Sequence, residues 1–176
     1  ARYAKRAFRD QLRGKYVTIA NLNSQWQVNY SSWDDVLTRQ DVEPTAALSD
    51  EDMQAFERLY AETYFSTCRQ AMREIAPRHL YLGCRFTSGA RPVLLELAAK
   101  FADVVTVNLY GQAARLLPGM EVGSDGPLMC TEYHYTARDT GLFADAVAAN
   151  SRRITQTERA QAMKTFARSF SVHPRY

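Results

Sequence analysis

The chain has 176 residues, 46% of them hydrophobic and 23% charged, which suits one globular domain with a real core and excludes a disordered polymer. A net charge of +3, with Lys and Arg dispersed along the sequence, offers no basic stripe for nucleic acid, and no run is long and apolar enough to span a membrane. Cys68, Cys84 and Cys130 lie far apart, without CxxC spacing, in apolar surroundings; free buried thiols are expected, with neither a disulfide nor a metal site. The first residue is Ala1 rather than Met and no signal peptide is readable, the start expected of a processed chain or a piece of a longer one.

In chain order, Arg2 to Leu12 reads as a helix with Tyr3, Ala7, Phe8 and Leu12 on one face and Gly14 as its stop. Tyr16 to Val36 is mixed and aromatic, carrying Trp26, Tyr30 and Trp33, and Asp41 to Ala47 is a polar linker with Pro44. Asp50 is expected to cap a long helix whose apolar positions, from Met53 through Phe65 to Ile75, recur at helical spacing until Pro77. His79 to Cys84 reads as a strand, Pro92 to Phe101 as a helix opened by its proline, and the β-branched run Asp103 to Leu109 as a second strand. A loop with Pro118, Gly119, Gly123 and Gly126 leads to a third strand, Leu128 to Glu132, and Thr155-Gln-Thr-Glu158 is a capping box for a last helix ending near Phe170.

Near-continuously apolar strands between helices argue for a parallel sheet covered by helices. The pattern alone admits a doubly wound sheet or a (β/α)8 barrel, and because three strands are few for either, the chain reads as part of a barrel. No GxGxxG follows a strand, and neither a P-loop nor a G-x-S-x-G elbow occurs, which removes the usual nucleotide and serine-hydrolase signals.

Glu132 is the most informative residue. It ends the apolar run in Pro127-Leu-Met-Cys-Thr-Glu-Tyr-His-Tyr135, at the carboxyl end of a strand, where parallel α/β folds bind ligands. A carboxylate there is costly unless paired or used. Arg85 ends an earlier strand in the same way, and can serve Glu132, a substrate, or Asp103 or another acid as a structural partner. Asn108 and Tyr110 close the strand between them, and His134 follows Glu132 by two residues.

Three segments carry a resemblance: His79-Leu-Tyr-Leu-Gly-Cys-Arg-Phe86, Ala102-Asp-Val-Val-Thr-Val-Asn-Leu-Tyr110, and Thr131-Glu-Tyr-His-Tyr-Thr-Ala-Arg-Asp-Thr-Gly-Leu-Phe143. They are similar to the β-agarase family and its β-galactosidase relatives, retaining glycoside hydrolases built on (β/α)8 barrels. Phe8-Arg-Asp-Gln-Leu-Arg-Gly-Lys-Tyr16 and Leu22-Asn-Ser-Gln-Trp26 resemble the helix and excursion after the fourth barrel strand of the galactosidase-like members. The resemblance implies that residues 1–176 are a single partial barrel domain holding strands five to seven, with the N-terminal half and the last strand missing. The missing half would come from a parent chain or a partner polypeptide.

On that basis Glu132 is expected to be the nucleophile of a double displacement on β-galactosidic linkages of agar-type galactans. The second carboxyl group that such enzymes need would follow an Asn just upstream of Ala1. Within the chain, Asp103, Glu121 and Asp125 fall toward the wrong strand ends, and Asp139 is the only local candidate for that partner. Tyr110 resembles the clan's tyrosine that hydrogen-bonds the nucleophile. Arg85, Asn108 and His134 are expected at the substrate, and Trp26 and Trp33 as stacking platforms for sugar rings, against packing roles for both. No cofactor or metal is implied. A galactose-containing polysaccharide or oligosaccharide is the expected partner, with secretion or a periplasmic location following from that substrate. Two alternatives remain: a non-catalytic or degenerate carbohydrate-binding barrel fragment, and a non-carbohydrate α/β enzyme using Glu132, Arg85 and His134 as base and anion site, which buried tryptophans together with a small, cationic strand-end pocket would favour.

Overall fold

A computed structural model describes residues 2–38, 46–87, 89–110, 114–116, 125–137, 139 and 154–176. The chain divides into two compact units, Ala1–Tyr64 and Phe65–Tyr176, with the division falling inside one long helix.

In the first unit, α1 (Arg2–Tyr16) places Phe8, Leu12 and Tyr16 at four-residue intervals on one face. That face meets α2 (Ile19–Trp26) and the short α3 (Asp35–Thr38) in a core of Leu12, Leu22, Trp26 and Tyr30, with Ile19, Val28, Trp33 and Val36 packed around it. Gly14 does not stop α1. The helix runs on to Tyr16 and turns at Val17, whose φ of 64° is a left-handed conformation that a β-branched residue rarely adopts. Thr18 then caps α2 by accepting from the Asn21 N–H, and Gln27, also left-handed, ends it.

The helix carries on past Gly14 for a reason that lies in α4 (Ala46–Ile75), which starts four residues before the expected cap Asp50. Asp52 of α4 is fully buried. Its carboxylate accepts from Lys15 Nζ at 2.8 Å, Tyr16 Oη at 2.7 Å and Trp26 Nε1 at 2.7 Å, so one anion ties the end of α1 and the end of α2 to α4. Burial pushes this carboxyl up, but the three donors outweigh it and hold the group below its ordinary value of 3.8.

In the second unit, β1 (Arg85–Phe86), β2 (Val105–Asn108) and β3 (Leu128–Glu132) form a parallel sheet in the order β1-β2-β3. The parallel sheet and its helices agree with the α/β expectation. Between β1 and β2 runs α5 (Pro92–Phe101), with proline at its first turn and Leu95, Leu97 and Ala98 buried. After β3 comes α6 (Gln156–Ser171), opened by the expected Thr155–Glu158 capping box and burying Phe166.

The strand expected at His79–Cys84 is displaced. Only Arg85 and Phe86 join the ladder, because Gly83 has a φ of +63° that breaks the extended run just before them. Residue 81 is held instead at the amino end of β2: Tyr81 N–H donates to the Asp103 carboxylate, and Asp103 N–H to the Tyr81 carbonyl, both at 2.8 Å. The expected linker at Asp41–Ala47 falls mainly on residues outside those described, as do Pro118, Gly119, Glu121 and Gly123. None of the three cysteines is disulfide-bonded, and all three are only partly buried.

Asp52 yields a sign-definite prediction. A carboxyl held below its unfolded value stabilises the fold fully above that value, and this contribution is lost as pH falls through the native pKa. Asp52→Asn should lower the unfolding free energy by about 3 kcal/mol at neutral pH. In melts followed by circular dichroism, the gap between variant and wild type should begin to narrow as the pH falls below 3.8 and close as it passes the lower native value. A gap that stays constant into strong acid would mean the carboxylate charge is not what holds the helices.

Candidate active site

Side chains alternate between the two faces of a strand, and registered neighbours in a ladder share a face. Arg85 is in register with Thr106, Phe86 and Cys130 with Val107, Met129 with Thr106, and Glu132 with Asn108. One face therefore holds Phe86, Val105, Val107, Leu128 and Cys130; Phe86, Val107 and Leu128 are buried, and Phe86 packs near Phe65 of α4 with ring centroids 6.3 Å apart. The other face holds Arg85, Thr106, Asn108, Met129 and Glu132, and it is on this face that the polar groups gather.

Glu132 is the hub. Arg85 Nη2 lies 3.1 Å from Glu132 Oε2, and the Tyr110 hydroxyl donates to Oε1, so each carboxylate oxygen has its own donor. Tyr110 lies two residues beyond Asn108 and His134 two beyond Glu132, which returns both to the same side. Their rings meet edge-on at 4.9 Å between centroids. Asn108 is buried, and its amide oxygen accepts from Thr131 Oγ1 at 3.4 Å. The side chains of Arg85 and Glu132 are 54% and 41% exposed, so the ion pair is open to solvent and adds about 1 kcal/mol or less to stability. An exposed pair of this kind contributes little to folding and leaves the carboxylate accessible.

The structure thus brings together five of the seven expected residues: Arg85, Asn108, Tyr110, Glu132 and His134. Trp26 and Trp33 belong to the first unit. Trp26 is only 3% exposed and donates its indole N–H to Asp52, which corrects the expectation of a stacking platform: its faces are spent on the core. Trp33 is half-buried against the same core. Arg85 is not a partner for Asp103, which is engaged by Arg73 at 2.6 Å and Arg69 at 3.7 Å. Asp139 accepts from the Gln156 N–H at 2.8 Å, at the first turn of α6, which explains its presence structurally. His79 and His173 lie elsewhere, His173 against Tyr176.

Two residues that the structure engages carry no signal of their own in the sequence. Asp52 sits mid-helix among other acids, and only its burial distinguishes it. Thr131 looked like one more residue of the apolar strand. A cavity of about 430 Å³ between β3 and α6 is lined by Leu128, Met129, Cys130, Tyr133, Phe166, Ala167, Phe170 and Tyr176. Burial there pushes the Tyr176 phenol up to about 12. The lining is mainly apolar and includes none of the Glu132 cluster, so the chemistry is better sought at Glu132. Among the described residues no group of His, Cys, Asp and Glu forms a metal site.

Comparison with known proteins places this geometry in context. A family model described as β-galactosidase, of the glycoside hydrolases, matches residues 1–112, which include Arg85, Asn108 and Tyr110. β-Agarase A of Vibrio sp. (strain JT0107) is 33% identical over 166 residues, covering 90% of this chain and 16% of that protein. β-Agarase B of the same strain is 29% identical over 177 residues, covering 97% of this chain and 18% of that protein. Among solved structures, an agarase superimposes with a TM-score of 0.80 at 31% identity, over 98% of this chain and 24% of that one. An exo-β-agarase gives 0.77 at 30% identity, over 98% and 23%. The chain therefore spans less than a fifth of the curated relatives and about a quarter of the solved ones.

The burial of Trp26 can be tested directly. Trp26→Phe deletes the donor to Asp52 and should lower the unfolding free energy by about 1–3 kcal/mol. Any oligosaccharide binding read by calorimetry should be the same with and without the substitution. Weaker binding at unchanged stability would return Trp26 to the ligand.

Proposed function

Because the chain belongs to the β-agarase and β-galactosidase-like glycoside hydrolases, we propose that it carries the nucleophile side of a retaining active site acting on β-galactosidic linkages of agar-type galactans. In this reading residues 1–176 are one incomplete (β/α)8 domain, with β1, β2 and β3 as barrel strands five, six and seven. The remaining strands and the acid/base carboxyl group come from protein outside this sequence, and the whole enzyme meets its polysaccharide outside the cytoplasm.

The observation that carries the proposal is the convergence of Arg85 and Tyr110 on the two oxygens of Glu132 at the carboxyl end of a parallel strand. A nucleophilic carboxylate has to be ionised and held in one orientation. A guanidinium on one oxygen and a phenol O–H on the other restrict its rotation and fix its direction. In the first step a Glu132 oxygen attacks the anomeric carbon while the partner carboxyl, about 5 Å away, protonates the departing glycosidic oxygen. The product is a glycosyl ester on Glu132. In the second step the partner, now a carboxylate, removes a proton from water, which attacks the same carbon and releases Glu132. Asn108 and His134 are suited to hydrogen bonds with sugar hydroxyls. The reaction needs two carboxyl groups and water.

In the complete enzyme, Glu132→Gln should fold normally and lose turnover by a factor on the order of 10⁴ or more. Tyr110→Phe keeps the nucleophile and removes one donor, so its loss should be on the order of a hundredfold or less. A slow fluorinated galactosyl substrate should leave a covalent sugar on the peptide containing Glu132, read by mass spectrometry. Wild-type hydrolysis by Glu132→Gln would end the nucleophile assignment. Retained oligosaccharide binding with no turnover in the wild type would favour a non-catalytic carbohydrate-binding barrel.

A further inference from the structure

Glu132 stands where strict alternation would not put it. Along β3, Leu128 and Cys130 point to the helix-covered face, and Met129 and Thr131 to the other; uninterrupted alternation would return Glu132 to the covered face with Cys130. The register instead jumps between Val107 and Asn108: Val107 pairs with Cys130, and Asn108 pairs with Glu132. Thr131 is the extra residue of a β-bulge, and the ladder resumes with the Leu109 N–H donating to the Glu132 carbonyl at 3.0 Å. The jump is what sets Glu132 on the face of Arg85, Asn108 and Tyr110.

The inserted residue is fastened on the polar side. Thr131 Oγ1 lies 3.3 Å from the Val107 carbonyl and 3.4 Å from Asn108 Oδ1, sharing one proton between the two β2 acceptors that flank the jump. That contact also engages the oxygen of the Asn108 amide rather than its NH2. We propose that Thr131 is a positioning residue for Glu132, its hydroxyl pinning the bulge that aims the carboxylate at Arg85 and Tyr110. The proposal rests on the nucleophile reading of Glu132, and adds to it the device that turns the side chain.

The test uses the complete enzyme and compares Thr131→Ser, which keeps the hydroxyl, with Thr131→Val, which keeps the shape and the strand preference. Thr131→Ala, paired with the serine variant, isolates the hydroxyl if the valine variant folds poorly. A nucleophile displaced by a fraction of an ångström should cost kcat about tenfold with KM for a galactan oligosaccharide unchanged, in both Thr131→Val and Thr131→Ala. Thr131→Ser should recover to within about twofold of wild type. A residue that merely stabilised the strand would change the melting temperature without splitting kcat from KM. Unchanged kcat in the valine or alanine variant, or a serine variant as slow as alanine, overturns the role of the hydroxyl. Glu132→Gln is run beside them: its inactivity with an unaffected Thr131→Val sinks only this inference, whereas its full activity sinks both.

Discussion

The parallel ladder of β1, β2 and β3 is the constraint from which the site follows. Parallel strands bring all their carboxyl ends to one edge, and each register pair fixes which side chains share a face. In this sheet the shared face collects Arg85, Asn108 and Glu132 from three strands separated by up to 47 positions in sequence. No two of them are sequence neighbours, and none would meet without the ladder. The apolar side chains on the opposite face, above all Val107 and Leu128, hold that ladder by burial, at about 25 cal/mol for each Å² removed from water. The site is therefore held largely by burial on the opposite face.

The first unit is organised by a different principle. Its helices are pinned through one buried anion, Asp52, whose three donors come from two other helices. A buried carboxylate is tolerable only when fully satisfied, and removing a partner leaves a group whose desolvation is no longer offset. Such a knot gives orientation more than net stability. It also accounts for the fate of Trp26: an indole that closes a core and donates to a buried carboxylate has no face left for a ligand. The non-carbohydrate reading gains nothing decisive from that burial, because the chain resembles agarases over nine-tenths or more of its length.

Elements marked by strong local chemistry were legible in the sequence. Pro92 at a first helical turn, the Thr155–Glu158 capping box and the β-branched run of β2 each carry their own signal, and each forms where expected. Errors arose where a long-range contact outweighed a local preference. Gly14 signals a helix stop, but Tyr16 is drawn on by Asp52. The apolar run from His79 looks like a strand, but the Tyr81–Asp103 pairing and the left-handed Gly83 delay the ladder to Arg85. The grouping of polar residues was legible through strand-end positions together with the family resemblance, since the carboxyl ends of parallel strands share one edge. Thr131 was not, because a bulge is a property of a pair of strands and one strand read alone cannot show it.

Asp103 and Glu132 show why position on a strand is not sufficient to tell an enclosed carboxylate from an accessible one. Both sit at the end of a strand and both face arginines. Asp103, at the amino end of β2, accepts a hydrogen bond from the Tyr81 backbone and pairs with Arg73 and Arg69; its side chain is only 17% exposed, and the Tyr81 N–H and the two guanidiniums hold its carboxyl below the ordinary range. Those contacts occupy the carboxylate and bind together the segments around β1, α4 and β2. Glu132, at the carboxyl end of β3, has one guanidinium and one phenol, and a 41% exposed side chain. Its donors orient it without enclosing it. The difference lies in how much of each carboxylate is enclosed by the fold, and it is Glu132 that stays open to solvent.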